Sequence, residues 1–380
     1  MGGLFSSIVV GGVEIPNRIV MPPMTTRLAD DEGHVTEALV AYYRARALGG
    51  VGLATVEMGS PERAGRHRFR ELGVYDDRFL PGLERLTTVL HDAGARVSVQ
   101  LGHGGSRARN AVSDETPIAP SSIPTPVYEV EPETVVPLEM SEARIEQTTQ
   151  AFAEAARRAQ MAGFDLVELH GAHGYLISQF LSSAENVRTD GYGGSLENRA
   201  RFGLDVLRRI KEEVPDLPVV FRLGVEDFFP GGLAFEEGLE VARWVAEANA
   251  DALSVTAGHY RSLPSAERMI PPMGYREGTF LDFAARVREE VDVPVVGVGR
   301  MGNPAVAKNA IESGKADMIA LGRTLIADPE WPNRVRSGEP PRRCLSCNHC
   351  VNSMRSGAGI SCVVNPIAGH ELDFADSRPP

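Results

Sequence analysis

Short apolar runs rich in β-branched residues alternate along this chain with longer stretches whose apolar positions recur at helical spacing. The alternation repeats eight times. Strands are expected at 18–24, 52–58, 96–101, 166–170, 218–223, 252–257, 294–299 and 317–321, with helices such as 142–162, 195–213, 235–248 and 303–313 between them. A run like Val293-Pro294-Val295-Val296-Gly297-Val298-Gly299 is apolar at every side-chain position, as a strand covered on both faces must be. Eight such units predict a TIM (β/α)8 barrel; the alternative is an open doubly wound sheet, which needs fewer repeats. Residues 1–335 are assigned to the barrel, and 336–380 to a small cysteine-rich segment and tail.

Two insertions interrupt the alternation. Residues 104–138, rich in Pro, Ser and Thr, follow the third strand, and 258–278, carrying Pro264, Pro271 and Pro272, follow the sixth. Both leave the C-terminal ends of strands, the face on which barrels build their sites, and both are expected to shape a substrate pocket. The stretch 371–380 is acidic and ends in proline, which reads as a frayed end or linker.

Composition adds little beyond exclusions. Hydrophobic residues make up 43% and charged residues 24%, the profile of an ordinary globular chain. A net charge of −12 argues against a nucleic-acid or anionic-membrane face. No apolar run is long enough for a spanning helix. Met1-Gly2-Gly3-Leu4-Phe5-Ser6 formally fits a myristoylation pattern, but the following Ser7-Ile8-Val9-Val10 reads as an opening strand. With no basic leader before an apolar stretch, a cytoplasmic, reducing location is expected.

All four cysteines fall in one short stretch, Cys344, Cys347, Cys350 and Cys362, spaced C-x2-C-x2-C-x11-C. Thiolates suit zinc or iron–sulfur chemistry. Structural zinc sites usually pair two separated C-x2-C elements, whereas three cysteines on one turn plus a distant fourth is closer to the holder of a [4Fe–4S] cluster. Zinc, for which His349 is a candidate fourth ligand although four cysteines already close the site, and disulfides or free thiols are the alternatives.

Other constellations lie at strand ends. Gly297-Val298-Gly299-Arg300-Met301-Gly302 matches G-x-G-x-x-G, but the next strand ends Leu321-Gly322-Arg323, with a cation where a dinucleotide site needs an acid. Two successive Gly-Arg ends after strands seven and eight suit a mononucleotide phosphate instead. His170-Gly171-Ala172-His173-Gly174-Tyr175 places two imidazoles and a phenol where they can hold a developing anion and deliver a proton. Arg222 and Gln100 sit inside apolar strands and need polar partners. They suit a flavin ring with imide edges and an anionic reduced form; the alternative for Arg222 is an internal pair with Glu57 or Glu168. The Gly-rich loop from Arg188 to Arg199 reads as a structural clamp, with Ser195 capping the next helix.

Asn17-Arg18-Ile19-Val20-Met21-Pro22-Pro23-Met24-Thr25, the His-x-x-His-Gly-Tyr-Leu element, the 188–199 loop, Gly-Val-Gly-Arg and the four-cysteine tail together resemble the Old Yellow Enzyme (NADH:flavin oxidoreductase) family. The closer likeness is to its iron–sulfur branch, which includes 2,4-dienoyl-CoA reductase and trimethylamine dehydrogenase. It extends from about Leu4 to His370. The resemblance implies FMN bound by Pro23, Met24, Thr25, Met58, Gln100 and Arg222 around the ring and by Gly299, Arg300, Gly322 and Arg323 at the phosphate. It implies His170 and His173 as holders of the substrate's activating group, Tyr175 as proton donor, and Cys344, Cys347, Cys350 and Cys362 as cluster ligands. His259 or Tyr260, after strand six, is implied as a second acid.

The pattern is departed from in three places. Thr25 stands where trimethylamine dehydrogenase attaches its flavin through cysteine, so non-covalent FMN is expected. Met354 stands where a tryptophan of that enzyme's cation-binding cage falls, which disfavours trimethylamine. Many branch members continue into two nucleotide-binding domains, so a separate flavoprotein or NAD(P)H-oxidising partner, or such domains in a longer polypeptide, is expected.

The expected activity is reduction of an activated C=C bond, an enone or enoyl thioester, by hydride from flavin N5 with electrons passing through the cluster. Alternatives are oxidative N-demethylation or dehydrogenation of an alkylated amine, and an electron-transfer subunit without a substrate of its own. A homo-oligomer is compatible with all three.

Overall fold

Eight parallel strands close on themselves in this computed structural model, which describes residues 2–127 and 133–374. They are β1 (Ile19–Met21), β2 (Leu53–Gly59), β3 (Arg96–Leu101), β4 (Leu166–Gly171), β5 (Val219–Gly224), β6 (Ala252–Thr256), β7 (Val295–Gly297) and β8 (Met318–Ala320). β8 pairs with β1 through Ile319↔Ile19 and Ala320↔Val20, the closure that separates a barrel from an open sheet. The first, seventh and eighth strands are shorter than their apolar runs. Their C-terminal residues, including Pro22–Met24 and Val298-Gly299, leave the ladder and line the mouth instead.

Side-chain alternation sorts the interior into layers. Val20, Leu53, Leu166, Val220, Ala252, Val296 and Met318 form an apolar floor. Two and four residues further along the same strands come Glu168 and His170 on β4, Arg222 on β5, and Ser254 and Thr256 on β6. In register, His170 lies beside Arg222, Arg222 beside Ser254, and Glu168 beside Gln100. The barrel axis therefore runs from an oily floor to a polar mouth.

The expected opening strand is one arm of a hairpin, Ile8–Val10 against Val13–Ile15. Its two-residue turn is Gly11-Gly12, both at positive φ (55° and 86°), the geometry such turns demand of glycine. Val10 and Ile15 pack onto the apolar floor and plug that end of the barrel. Predicted caps form as well: Ser195 accepts from the Asn198 N–H at the start of helix Leu196–Glu213.

Beyond helix Trp331–Ser337 the chain folds back over the mouth. Cys350, Ile360 and Ala368 join the main core, Ile360 N–H donates to the Thr26 carbonyl (2.9 Å), and Arg27 Nε donates to the Met354 carbonyl (2.7 Å). The start of the tail is not frayed. Glu371 is buried and pairs with the fully buried Arg46 at 2.6 Å; a solvated linker is therefore the wrong description of it, and 375–380 lie outside the described residues. Among the described residues no helix is long and apolar enough to cross a membrane.

Candidate functional site

The strand ends open onto one cavity of about 260 Å³. Pro23, Met24 and Thr25 after β1, Met58 on β2, Gln100 on β3 and Arg222 on β5 line its inner part, and Gly299, Arg300, Gly322 and Arg323 line one flank. His170, His173 and Tyr175 line the other. Every residue expected around the ring, phosphate and substrate is brought to the same space.

The inner part is a polar layer with little slack. Gln100 Nε2 donates to Glu168 Oε1 (2.7 Å), and Arg222 Nη1 donates to Ser254 Oγ (3.1 Å). Burial lifts the Glu168 carboxyl to about 6, against the pull of Arg222 and Gln100. Of the two acids considered for Arg222, Glu168 is the one whose charge acts on it. Glu57 is engaged elsewhere, accepting from Thr26 N–H at 2.9 Å and from the Thr26 hydroxyl.

Burial also lifts Glu57 to about 8, with the Thr26 hydrogen bonds opposing the shift. Its folded pKa lies above the unfolded value, so its contribution to stability is complete below the unfolded pKa and is lost as pH rises toward 8. One such group gives a slope of about 1.4 kcal/mol per pH unit across that window. Glu57→Gln is expected to flatten the decline in unfolding free energy between about pH 5 and 8, read by chemical denaturation at several pH values. Parallel curves for the two proteins would assign the decline to other groups.

The imidazole pair sits on a loop that the backbone holds under constraint. His173 adopts φ 66° and Gly174 φ 81°, and a Cβ on Gly174 would lie 2.4 Å from the His259 ring. The Gly174 carbonyl accepts from Arg107 Nε (2.9 Å) and Gln179 Nε2 (2.7 Å). His170 and His173 pack edge to face at 5.1 Å, and His170 lies 4.9 Å from the Tyr175 ring. Burial, reinforced for His170 by Arg222, His67 and Arg68 and for His173 by His170 and Arg222, holds both imidazoles well below the usual histidine range. Both are neutral near pH 7. His173 Nε2 lies 3.1 Å from Thr256 Oγ1, and His170 Nδ1 is buried without a hydrogen-bond partner.

Of the two candidates after β6, Tyr260 lines the cavity. His259 is fully buried beneath Gly174, with Nε2 3.0 Å from Glu185, so an acid role for it is not supported by its placement. The expected pocket-forming role holds for one of the two insertions and, among the described residues, not for the other. Residues of 258–278 such as Met269, Pro271 and Glu277 line the cavity, but no described residue of 104–138 does. Arg188 instead ties that insertion down, donating to the Pro120 (2.9 Å) and Met140 (2.6 Å) carbonyls while gripping Asp190, whose carboxyl it lowers. The clamp reading of the 188–199 loop holds.

The segment after β2 contributes His67 and Arg68, which the strand–helix pattern did not single out. A dense charged run, Arg66-His67-Arg68-Phe69-Arg70-Glu71, in the loop that follows β2 was the available signal. Among the described residues, five arginines, Arg68, Arg222, Arg300, Arg323 and Arg343, line the cavity against the one carboxylate of Glu277. In a chain of net charge −12 that imbalance marks the space for an anionic guest.

The cysteines form no disulfide: Cys350 is buried, Cys344 and Cys362 are half-buried, and Cys347 is exposed. Cys344 and Cys350 line the cavity beside Arg323. Ser346 N–H donates to Cys344 Sγ at 3.4 Å. Among the described residues, no three His, Cys, Asp or Glu side chains converge in metal-binding geometry.

Comparison with known proteins accords with this geometry. The family model described as NADH:flavin oxidoreductase / NADH oxidase matches residues 3–341. The chain is 40% identical to an NADH oxidase of Thermoanaerobacter brockii, covering 99% of this chain and 58% of that protein. It is 38% identical to an NADPH dehydrogenase of Geobacillus sp., covering 87% of this chain and 92% of that one. Among solved structures, a 2-naphthoyl-CoA reductase complex superposes with a TM-score of 0.92 at 31% identity, over 98% of this chain and 58% of its own. The chain thus spans rather more than half the length of some of its relatives. It belongs to the NADH:flavin oxidoreductase / NADH oxidase family.

Proposed function

We propose that the cavity binds FMN non-covalently and that the chain reduces an activated C=C bond, an enone or enoyl thioester, with a [4Fe–4S] cluster on Cys344, Cys347, Cys350 and Cys362 as its electron conduit. One observation carries the reading: a single cavity is lined by Arg300 and Arg323 on one flank, by Gln100 and Arg222 within, and by His170, His173 and Tyr175 on the other flank. The residues fit the flavin. Arg222 and Gln100 present a guanidinium and an amide to the cavity from inside an apolar barrel, and Gly322, just past β8, has no side chain where a Cβ would lie 3.1 Å from Met24 Sδ. Arg300 and Arg323 supply guanidiniums for a phosphate.

FMN, when bound, supplies reducing equivalents to the substrate as a hydride. The chain's residues do the rest. Neutral His170 and His173 hold the substrate's carbonyl oxygen by hydrogen bonding, Arg222 offsets negative charge beside the polar layer, and Tyr175 delivers a proton to the α carbon. Thr25, a hydroxyl rather than a thiol, forms no covalent tether. The thiols fit the cluster by chemistry: Cys350 feels the charge of Cys344 and Cys362, and Arg323 that of Cys344, Cys347 and Cys350. NAD(P)H is the proposed electron source, through a separate flavoprotein or further domains of the same polypeptide.

Anaerobically purified protein is expected to carry about one FMN with roughly four iron and four sulfide per chain, and broad iron–sulfur absorption beneath the flavin bands. Flavin with zinc in place of iron would remove the conduit. Absence of both flavin and iron would overturn the proposal.

A further inference from the structure

Tyr175 does not stand alone in the cavity wall. Its hydroxyl oxygen lies 3.1 Å from His67 Nε2, and the two rings meet edge to face at 5.0 Å. The other nitrogen, His67 Nδ1, lies 2.7 Å from Glu71 Oε2. The contact is one of charge and distance, not an aligned hydrogen bond, and the same carboxylate oxygen accepts from the backbone N–H groups of His67 (2.9 Å) and Arg68 (3.1 Å), which fix it beneath the imidazole. Arg68 Nη2 donates to the Tyr175 oxygen at 3.4 Å, and its Nη1 donates to Thr25 Oγ1 at 2.7 Å. Tyr175, His67, Glu71 and Arg68 are each at most 5% exposed.

The geometry points to a proton relay, Glu71–His67–Tyr175, in which His67 is a catalytic residue that recharges the Tyr175 hydroxyl and Glu71 is a positioning residue that fixes the imidazole. The inference rests on Tyr175 being the acid of the proposed reaction. A buried carboxylate is costly without partners, and one held by two backbone N–H groups against an imidazole whose far nitrogen reaches a phenol is placed to set the ring's orientation.

Protons balance as follows. When Nε2 carries a proton taken from water, that N–H faces the phenol oxygen while Nδ1 stays against the Glu71 carboxylate. As the substrate's β carbon receives a hydride, the Tyr175 O–H bond breaks and a C–H bond forms at the α carbon. The phenolate, held by Arg68, takes the Nε2 proton and leaves neutral imidazole. Water then returns one proton to His67. The sum delivers one solvent proton to carbon, with no redox change in the relay.

The loop is built to hold this alignment. Ser60 and Gly73 bridge its two ends at the close of β2, so residues 60–73 leave and return at one point. His67 also touches a second wall, since a Cβ on Gly104 would lie 3.0 Å from its Cβ.

The test uses reduced holoenzyme and cyclohexenone or crotonyl-CoA as probe, with His67→Gln, Glu71→Gln, Tyr175→Phe and the Tyr175→Phe/His67→Gln double variant. His67→Gln is expected to lower kcat at least about tenfold with KM within roughly twofold, and Glu71→Gln to lower it less. Within the Tyr175→Phe background, His67→Gln is expected to add less than about twofold, because both act on one proton. Full kcat for His67→Gln beside a slow Tyr175→Phe would overturn the relay and leave the functional reading standing. A raised KM at unchanged kcat, or losses that multiply in the double variant, would give His67 a different task and also overturn it. Full speed for Tyr175→Phe, or no probe turnover by the unmodified protein, would sink the reading beneath it as well. His67→Asn replaces any His67→Gln preparation that fails to retain flavin.

Discussion

Replacing Tyr175 by phenylalanine is expected to slow reoxidation of the reduced holoenzyme by an enone about 10²- to 10⁴-fold, the range that a positioned general acid supplies. The expectation follows from what its neighbours cannot do. His170 and His173 are the imidazoles that line the substrate side of the cavity, but burial and adjacent cations keep both unprotonated near neutral pH. They can donate a hydrogen bond but have no imidazolium proton to give. Tyr260 lines the same wall, with its ring centre 6.0 Å from that of Tyr175. Tyr175 is the phenol in contact with both His67 and Arg68. Phenylalanine preserves the ring packing on His170 and removes only the hydroxyl. Stopped-flow measurement with cyclohexenone under anaerobic conditions reads the effect directly. An unchanged rate would mean that protonation comes from solvent and that the hydroxyl serves packing alone.

Glu371→Gln is expected to cost about 3–5 kcal/mol of unfolding free energy, the range for removing one member of a buried ion pair. Arg46 is fully buried, its Nη1 donates to the Tyr42 carbonyl (2.6 Å) as well as to Glu371, and its guanidinium stacks 3.5 Å over the Tyr42 ring. Without Glu371 a permanent charge stays in the core with no anion against it. Arg46→Met combined with Glu371→Leu is expected to recover much of the loss, since exchanging both charges for apolar groups avoids the orphan. Denaturant titration reads both variants. A loss below about 1 kcal/mol would mean that the pair is solvated in solution.

What could be read in the sequence follows from what periodicity encodes. Barrel strands buried on both faces leave continuous apolar runs, and all eight appear where those runs are. Arg222, Gln100 and His170 stood out because polar residues inside such runs demand partners. Periodicity says nothing about segments without a repeat. His67 and Arg68 belong to a loop with neither helical nor strand spacing, and only its density of charge set it apart. The 104–138 insertion was read by its position after a strand end, but its course is set by Arg188, a contact between segments distant in sequence. His259 and Tyr260 are adjacent in sequence and opposite in orientation, so one faces Glu185 and the other the cavity. Glu371 looked like tail because its partner lies 325 positions away.

The glycine-turned hairpin at the floor of the barrel has a kinetic consequence. With Val10 and Ile15 stoppering that end, a small molecule reaches the cavity at the opposite rim, where the strand ends open. Two visitors that need the same berth must take turns. A small-molecule reductant at this rim would have to depart before the acceptor is admitted, whereas electrons delivered through the proposed cluster would leave the berth to the acceptor alone.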